Sequence, residues 1–454
     1  MKLSNPIFHK LFLLALPLIG SNVAQFSLNI VDTAMLGHYS SEALASAVIG
    51  GSFFFSIFII GSGFSFAIVP LVAAYDAQND HIKVRRVARM GLWVSFIYSF
   101  FTLNLFLFSE TILLAIGQNS EISKIAKDYL IIMGFSMFPA LAVVTLRSFL
   151  TGLKFTQIIF WITFAAFPIK IFLNWVLIFG NLGIPELGIK GASLATLLVQ
   201  FIMLFCFIFF SYYKLYRYKI FDRFWRLDFD FLKKVFLLGY PIGFTYFAET
   251  SLFTSSAIMM GWLGKVELAA HGITMQLAGL TFMFHVGLSQ ASTTLVGNSF
   301  GKKEDKIKLI QIAKATLLLT TLYAFIVISL FITFPEFLLS LFLDKNLNSS
   351  TDILNLAVLL LMFAAIFHLV DGLQASGLGL LRGIQDVQIP FILALLSYWI
   401  FGICSGYILG FIFKIGSIGI WLGMVIGLTV ASISLILRFY LKVNSLYLEK
   451  KYLT

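Results

Sequence analysis

Residues 11–36 read LFLLALPLIGSNVAQFSLNIVDTAML, a run holding one charged side chain, Asp32. About 20 apolar helical residues cross the ~30 Å hydrocarbon core of a bilayer, so this stretch is long enough to span one. Slid along the chain by 224 residues, it finds a copy of itself. Phe12-Leu13-Leu14 falls on Phe236-Leu237-Leu238, Pro17 on Pro241 and Gly37 on Gly261, and the match continues to Gly63 on Gly287 and Ala67 on Ala291. An offset near half the chain length marks a duplicated unit. Farther on, Gly152 and Gln157 match Gly383 and Gln388 at an offset of 231, which places a short insertion near the ninth-to-tenth helix connection.

The composition agrees with the run. Of 454 residues, 59% are hydrophobic and 12% charged, and 51 are phenylalanine. Too little polar surface remains to cover a water-soluble core of that size, so secreted and cytosolic enzymes are excluded. Twelve apolar segments are expected as helices, at approximately 11–36, 43–75, 88–109, 124–150, 156–180, 191–213, 232–262, 267–298, 308–333, 352–381, 388–412 and 417–441. Barrel strands would alternate, whereas these runs are apolar at consecutive positions. The first continues past signal-peptide length and lacks a small-residue cleavage site.

Charge supports the count. With the amino terminus inside, alternate connections hold 25 basic residues against 6 on the opposite side, among them Lys345, while Lys170 falls within a span. That bias places both termini in the cytoplasm of a multi-pass cell-membrane protein, with a bacterial inner membrane expected. Cys206 and Cys404 both lie in apolar runs, which excludes a disulfide framework. The fold class is therefore all-α integral membrane, twelve transmembrane helices forming two pseudo-symmetric six-helix bundles. Copies with an even number of spans lie parallel. The expected organisation is a lobe at 1–213, a cytoplasmic linker at 214–231 and a lobe at 232–454. The linker is basic and aromatic, suited to the inner leaflet rather than to nucleic acid.

Asp32, Glu249 and Asp371 lie well inside spans, joined by Lys170. A central charge costs ~2.5–3.5 kcal/mol on insertion scales, so each needs a partner, a wet cavity or a proton. Gln25, Asn29 and Asp32 share one face of the first helix, and Glu249 occupies the repeat position of Gln25. Thr245 and Glu249 share a face of the seventh helix, and His368, Asp371 and Gln374 form a polar stripe on the tenth. Two carboxylates brought together there can share a proton or ligate a hard cation through oxygen. His368 is a candidate relay, although a satisfied core histidine is the commoner case. Lys170 and Asn174 are one turn apart in the fifth helix, and Lys170 must reach upward to meet Asp32. If it does, bound sodium at Asp32 is disfavoured by repulsion.

Four stretches carry a family resemblance: ALPLIGSNVAQFSLNIVDTAMLGHYSSEALASAVIG (15–50), NWVLIFGNLGIPELGIKGASLAT (174–196), PIGFTYFAET (241–250) and DGLQASGLGLLRGIQD (371–386). Together they resemble the multidrug and toxic compound extrusion (MATE) family, NorM-like branch, over essentially the whole chain. The resemblance implies a V-shaped pair of lobes and export of amphipathic, often cationic, drugs by antiport with H+ or Na+. It implies Asp32 as the amino-lobe titrating carboxylate, Asn174 as a polar position near it, and Glu249 with Asp371 as the carboxy-lobe cation site and possible sodium ligands. Two positions depart from the family pattern: Lys170 stands where an asparagine is usual, and Phe367 where a tyrosine is usual. The coupling ion stays open between H+ and Na+.

Small amphipathic or cationic organic substrates and membrane lipid are the expected partners, with no nucleic acid, no ATP and no cofactor. HExxH, GxSxG, Walker and CxxC motifs are all missing, so an enzyme is not expected. Rival readings are a lipid-linked saccharide flippase of the same superfamily and a non-transport polytopic scaffold.

Overall fold

The computed structural model describes residues 6–342 and 350–453; Lys2 and Lys345, which entered the charge count, lie outside the described residues. Twelve long helices stand among the described residues. They are α1 (Pro6–Tyr39), α2 (Ser41–Ala77), α3 (His81–Leu107), α4 (Ser120–Gly152), α5 (Thr156–Phe179), α6 (Gly188–Lys214), α7 (Phe229–Leu263), α8 (Lys265–Gly301), α9 (Lys306–Thr333), α10 (Ser350–Gly383), α11 (Gln388–Ile412) and α12 (Ser417–Leu453). No strand occurs among the described residues. Ten of the twelve are long and apolar enough to cross a membrane. The other two, α7 and α8, span 35 and 37 residues and carry more polar side chains.

Local chemistry sets the helix ends. Ser40 accepts from the amide of Ala43 at 3.0 Å, Asp80 from that of Lys83 at 3.0 Å and Asn119 from that of Glu121 at 2.8 Å, each satisfying an orphan donor in a first turn. Gly180, at φ 72°, closes α5 in the left-handed region that favours glycine.

Two compact units emerge, one of Met1–Ile19 with Thr245–Thr454, the other of Gly20–Phe244. Their borders fall inside α1 and α7, each within a turn of a helix-interior proline, Pro17 or Pro241. Proline removes one backbone hydrogen bond and crowds the preceding turn, which makes these the natural places for either helix to change neighbours.

In the Gly20–Phe244 unit the core gathers Leu36, Phe106, Leu130, Met133 and Leu141, with Phe53 and Phe54 packed on Phe106. Here α2 meets the start of α7 at backbone distance, because a Cβ on Gly63 would strike the backbone of Gly243 and one on Gly243 would strike that of Ile60. Small residues substitute for hydrophobic drive between helices in lipid, where close packing is the main attraction. The linker is docked within this unit. Trp93 Nε1 donates to the carbonyl of Phe224 at 2.8 Å, and the Tyr218 hydroxyl donates to Asp76 at 2.5 Å.

The other unit packs α8 against α10 and α10 against α12. A π-helical stretch of α11, Ser397–Cys404, lies on α12 where Gly423 and Gly427 admit Gly406 and Gly402. π-Turns displace side chains from the ordinary α register, and this one carries Tyr398.

Replacing Gly63 by valine is expected to force α2 and α7 apart, a backbone clash with no flexible side chain to yield. The detergent-solubilised protein should lose on the order of 1–3 kcal/mol of stability to overpacking, read as a lower melting temperature. An unchanged melting temperature would show that the approach is not constraining.

Candidate functional site

The fourfold set of embedded charges resolves into distinct clusters. In the Gly20–Phe244 unit, Lys170 Nζ lies 2.9 Å from Asp32 Oδ1, and the amide nitrogen of Asn174 donates to the same oxygen at 2.7 Å. Thr196 of α6 donates to Asp32 Oδ2 at 3.4 Å and also accepts a hydrogen bond from Lys170. Lys170 is 2% exposed, with Asn174 fully buried beside it. Its stem reaches along α5 toward the carboxylate, so the ion pair anticipated from topology is present. Thr196 was not singled out from sequence, because a lone threonine in an apolar helix carries no signal until its neighbour is known.

Gln25 does not join that network. Its side-chain oxygen accepts from Arg147 Nη1 at 3.4 Å, and Arg147 Nη2 also donates to Ser21 at 2.9 Å and to Asn22 at 3.3 Å. Asn29 is exposed, and its carbonyl accepts from Thr33 at 3.2 Å. The stripe drawn on one face of α1 is therefore divided, with Asp32 served by Lys170 and Gln25 by Arg147. Counting charges between apolar runs assigns Arg147 to a connection, whereas α4 continues to Gly152 and carries Arg147 inside it.

The other unit holds two of the embedded acids. Glu249 and Asp371 are both buried, and each feels the other's charge or that of a neighbour: Asp371 that of Glu249, Glu249 that of Arg382. Gln374, one turn after Asp371, hydrogen-bonds to Glu249 and donates to the Tyr398 hydroxyl. Three buried oxygens, Glu249 Oε1, Asp371 Oδ1 and Gln374 Oε1, have no hydrogen-bond partner. Buried acceptors left unbonded are costly, and oxygens of this kind are the type that can bind a hard cation or take a proton. Among the described residues no group of three or more His, Cys, Asp or Glu could hold a metal ion, so the amide oxygen and the phenol are integral to any cation site here.

Two residues of this cluster were missed from sequence. Arg382 donates to the Tyr246 hydroxyl at 2.6 Å, with its guanidinium 4.5 Å from that ring's centre. It sits in the last turn of α10 and had been counted as a loop charge. Tyr398 supplies a hydroxyl from α11, although the tenth-helix position that usually provides one is Phe367, which packs on Phe253 and Trp421. The two arginines are not repeat copies, since the register of 231 places Arg147 on Leu378, yet they attend equivalent positions of the first helix in each half. Arg147 binds Ser21, Asn22 and Gln25, and Arg382 attends Tyr246 and Glu249, the copies of Asn22 and Gln25 at an offset of 224.

Thr245 is buried one turn before Glu249. His368 faces α8 instead: its Nε2 lies 3.1 Å from Nε2 of His285, and its Nδ1 lies 3.5 Å from the Thr281 hydroxyl. The partner His285 was also missed, since nothing in the spacing from 285 to 368 connects the two.

The Lys170–Asp32 pair should couple strongly. Removing one member of a buried pair strands the other, at a cost of ~3–5 kcal/mol, reduced here because Asp32 keeps some exposure and can take up a proton. Lys170→Met is expected to lower the melting temperature of the purified protein, and Asp32→Asn added to it should recover much of the loss. Additive effects of the two changes would disprove the coupling.

Comparison with known proteins is consistent with this plan. The MatE family profile matches residues 17–176 and 241–408, one match in each half. The "Probable multidrug resistance protein NorM" of Agrobacterium fabrum is 39% identical over 445 residues, covering 96% of this chain and 94% of that protein. Its namesake in Rhizobium meliloti is 39% identical over 431 residues, covering 94% of this chain and 92% of that one. Among solved structures, a multidrug resistance MATE family transporter of the MOP superfamily in an outward-facing conformation superposes with a TM-score of 0.88 at 18% identity, over 97% of each chain. A eukaryotic MATE transporter superposes with a TM-score of 0.84 at 19% identity, over 97% of this chain and 98% of that one. With duplicated helices, matched halves and relatives of equal length, the chain belongs to the MATE family, in its NorM-like branch.

Proposed function

We propose that the protein is a multidrug efflux transporter, a secondary antiporter that exports amphipathic, often cationic, compounds in exchange for H+ or Na+ by alternating access. It works in the bacterial inner membrane with both termini cytoplasmic, as the basic bias of the connections favours. Relatives named for multidrug resistance at 39% identity support the substrate class.

The coupling reading rests on one observation: the partnerless buried oxygens of Glu249, Asp371 and Gln374, with the charge of Arg382 reaching Glu249. Arg382 offsets one of the two carboxylates. Ionised together, they retain one uncompensated negative charge, which a proton or a sodium ion would balance. Such a charge is tolerated in a membrane only while a mobile cation visits it. Asp32 differs, because Lys170 already supplies its cation. It enters the cycle only when that pair opens, and the carboxy-terminal acids carry the coupling ion.

The energy is adequate. Where one cation enters against a neutral substrate, one net charge crosses, and 100 mV is then worth ~2.3 kcal/mol, sufficient for about a fiftyfold substrate gradient. Ion binding favours one access state only by its differential affinity for the two states, so release on the cytoplasmic side resets the transporter.

Proteoliposomes with separately imposed pH and sodium gradients distinguish the ion: efflux of ethidium driven by one gradient and not by the other identifies it. Asp371→Asn should abolish gradient-driven ethidium transport while the protein still reaches the membrane. Full transport by that variant would refute the coupling role.

A further inference from the structure

Two pockets lie side by side in the Gly20–Phe244 unit where α3 meets the linker. One is a polar pocket of about 780 Å³. It is lined by six cationic side chains, Arg85, Arg86, Arg89, Lys219, Arg223 and Arg226, against the carboxylates of Asp222, Asp228 and Asp230. The other is an almost wholly apolar crevice of about 380 Å³, whose walls include Trp93, Phe96, Phe138, Ala142, Leu204 and Phe224. The pockets adjoin along two segments. Arg89 and Trp93 are one turn apart on α3, and in the linker Phe221 and Phe224 line the crevice while Asp222 and Arg223 line the polar pocket.

The positive charge is only partly consumed within the protein. Arg86 reaches Asp228 at 3.4 Å, and Arg89 Nη1 donates to the carbonyls of Asp222 and Arg223 at 3.2 and 3.0 Å. Arg85 Nε and Arg89 Nε are buried and have no acceptor. Arginine presents a planar fork suited to phosphate oxygens, and a buried guanidinium nitrogen without a partner is costly to retain. The crevice is shaped by Trp93 stacked on Phe224, with ring centres 5.7 Å apart, and held by the Trp93 hydrogen bond to that residue's carbonyl. Trp225, 77% exposed, and Phe229, 75% exposed, stand at the rim, as aromatic residues do at a membrane interface.

We propose that this composite pocket binds an anionic glycerophospholipid, with its phosphate among Arg85, Arg89, Arg223 and Arg226 and an acyl chain in the crevice beside Trp93. A zwitterionic lipid would bring its own cation into a pocket already in positive excess. A free phosphate would leave the crevice empty. The pocket's excess of cations selects the headgroup, and the apolar walls require that it arrive attached to hydrocarbon. This assignment is independent of the coupling ion and of the transported substrate.

The test uses the full-length protein in neutral detergent, titrated with phosphatidylglycerol carrying dibrominated acyl chains, with phosphatidylcholine carrying the same chains, and with inorganic phosphate. Bromine quenches nearby tryptophan, so the difference between the unchanged protein and Trp93→Phe isolates the crevice. Saturable Trp93 quenching is expected from phosphatidylglycerol at an affinity roughly tenfold or more above that of phosphatidylcholine. Arg223→Gln with Arg226→Gln, both exposed linker positions, should erase that preference while leaving the lipid-free melting temperature unchanged. Ala142→Phe, which fills the crevice, should abolish the quenching. Equal affinity for the two lipids, an undiminished preference in the double variant, or thermal stabilisation by inorganic phosphate equal to that by phosphatidylglycerol would each overturn the proposal.

Discussion

An ionised side chain in hydrocarbon has no water to solvate it, and that constraint organises the interior of this protein. Every embedded carboxylate is answered in some way. Asp32 meets a lysine at 2.9 Å and an asparagine at 2.7 Å. Glu249 and Asp371 are buried within reach of each other's charge, Glu249 also of that of Arg382, and retain bare oxygens. The two units thus treat a charge in oil differently, one with a fixed counter-charge in contact and the other with carboxylate oxygens left unbonded. Gene duplication supplied the same scaffold twice, and divergence at a few positions made the copies electrostatically unlike.

That divergence can be followed residue by residue. Gln25 in the first half and Glu249 in the second occupy equivalent places, and both answer to an arginine from a later helix of their own half. A neutral amide beside Arg147 leaves that cation bonded to Ser21, Asn22 and Gln25. In the second half Glu249 feels the charge of Arg382, which hydrogen-bonds to Tyr246, and Asp371 adds a second buried acid. The same backbone plan sets an arginine among neutral partners in one unit and an arginine near two buried acids in the other. Tyr398, carried on the π-helical stretch of α11, brings its hydroxyl to Gln374, while Phe367 packs on Phe253 and Trp421.

Much of the fold was legible because its signals are local or periodic. Apolar runs of spanning length follow from the solvent the chain must meet and the 224-residue offset from duplication, and the twelve long helices stand where those runs lie. The charged candidates were legible for the same reason, since Asp32, Lys170, Glu249 and Asp371 violate the composition of their surroundings. Arg147 and Arg382 were not, because each lies near the end of an apolar run, where a cation ordinarily belongs to a loop. Thr196, Tyr398 and His285 were hidden for a different reason: as moderately polar residues in helices, they acquire meaning only from what faces them.

Sequence by itself determined that this chain is helical, membrane-embedded and duplicated, and which few ionisable side chains must be accounted for within it. Those properties depend on hydropathy and spacing, which the linear order of residues contains. Only the tertiary structure decided the pairing, that Asp32 is matched by Lys170 while Glu249 and Asp371 keep open oxygens beside Arg382 and Tyr398. Pairing depends on the rotation and depth of one helix against another. Those are fixed by close packing of small and large side chains across the whole bundle, and no single segment encodes them.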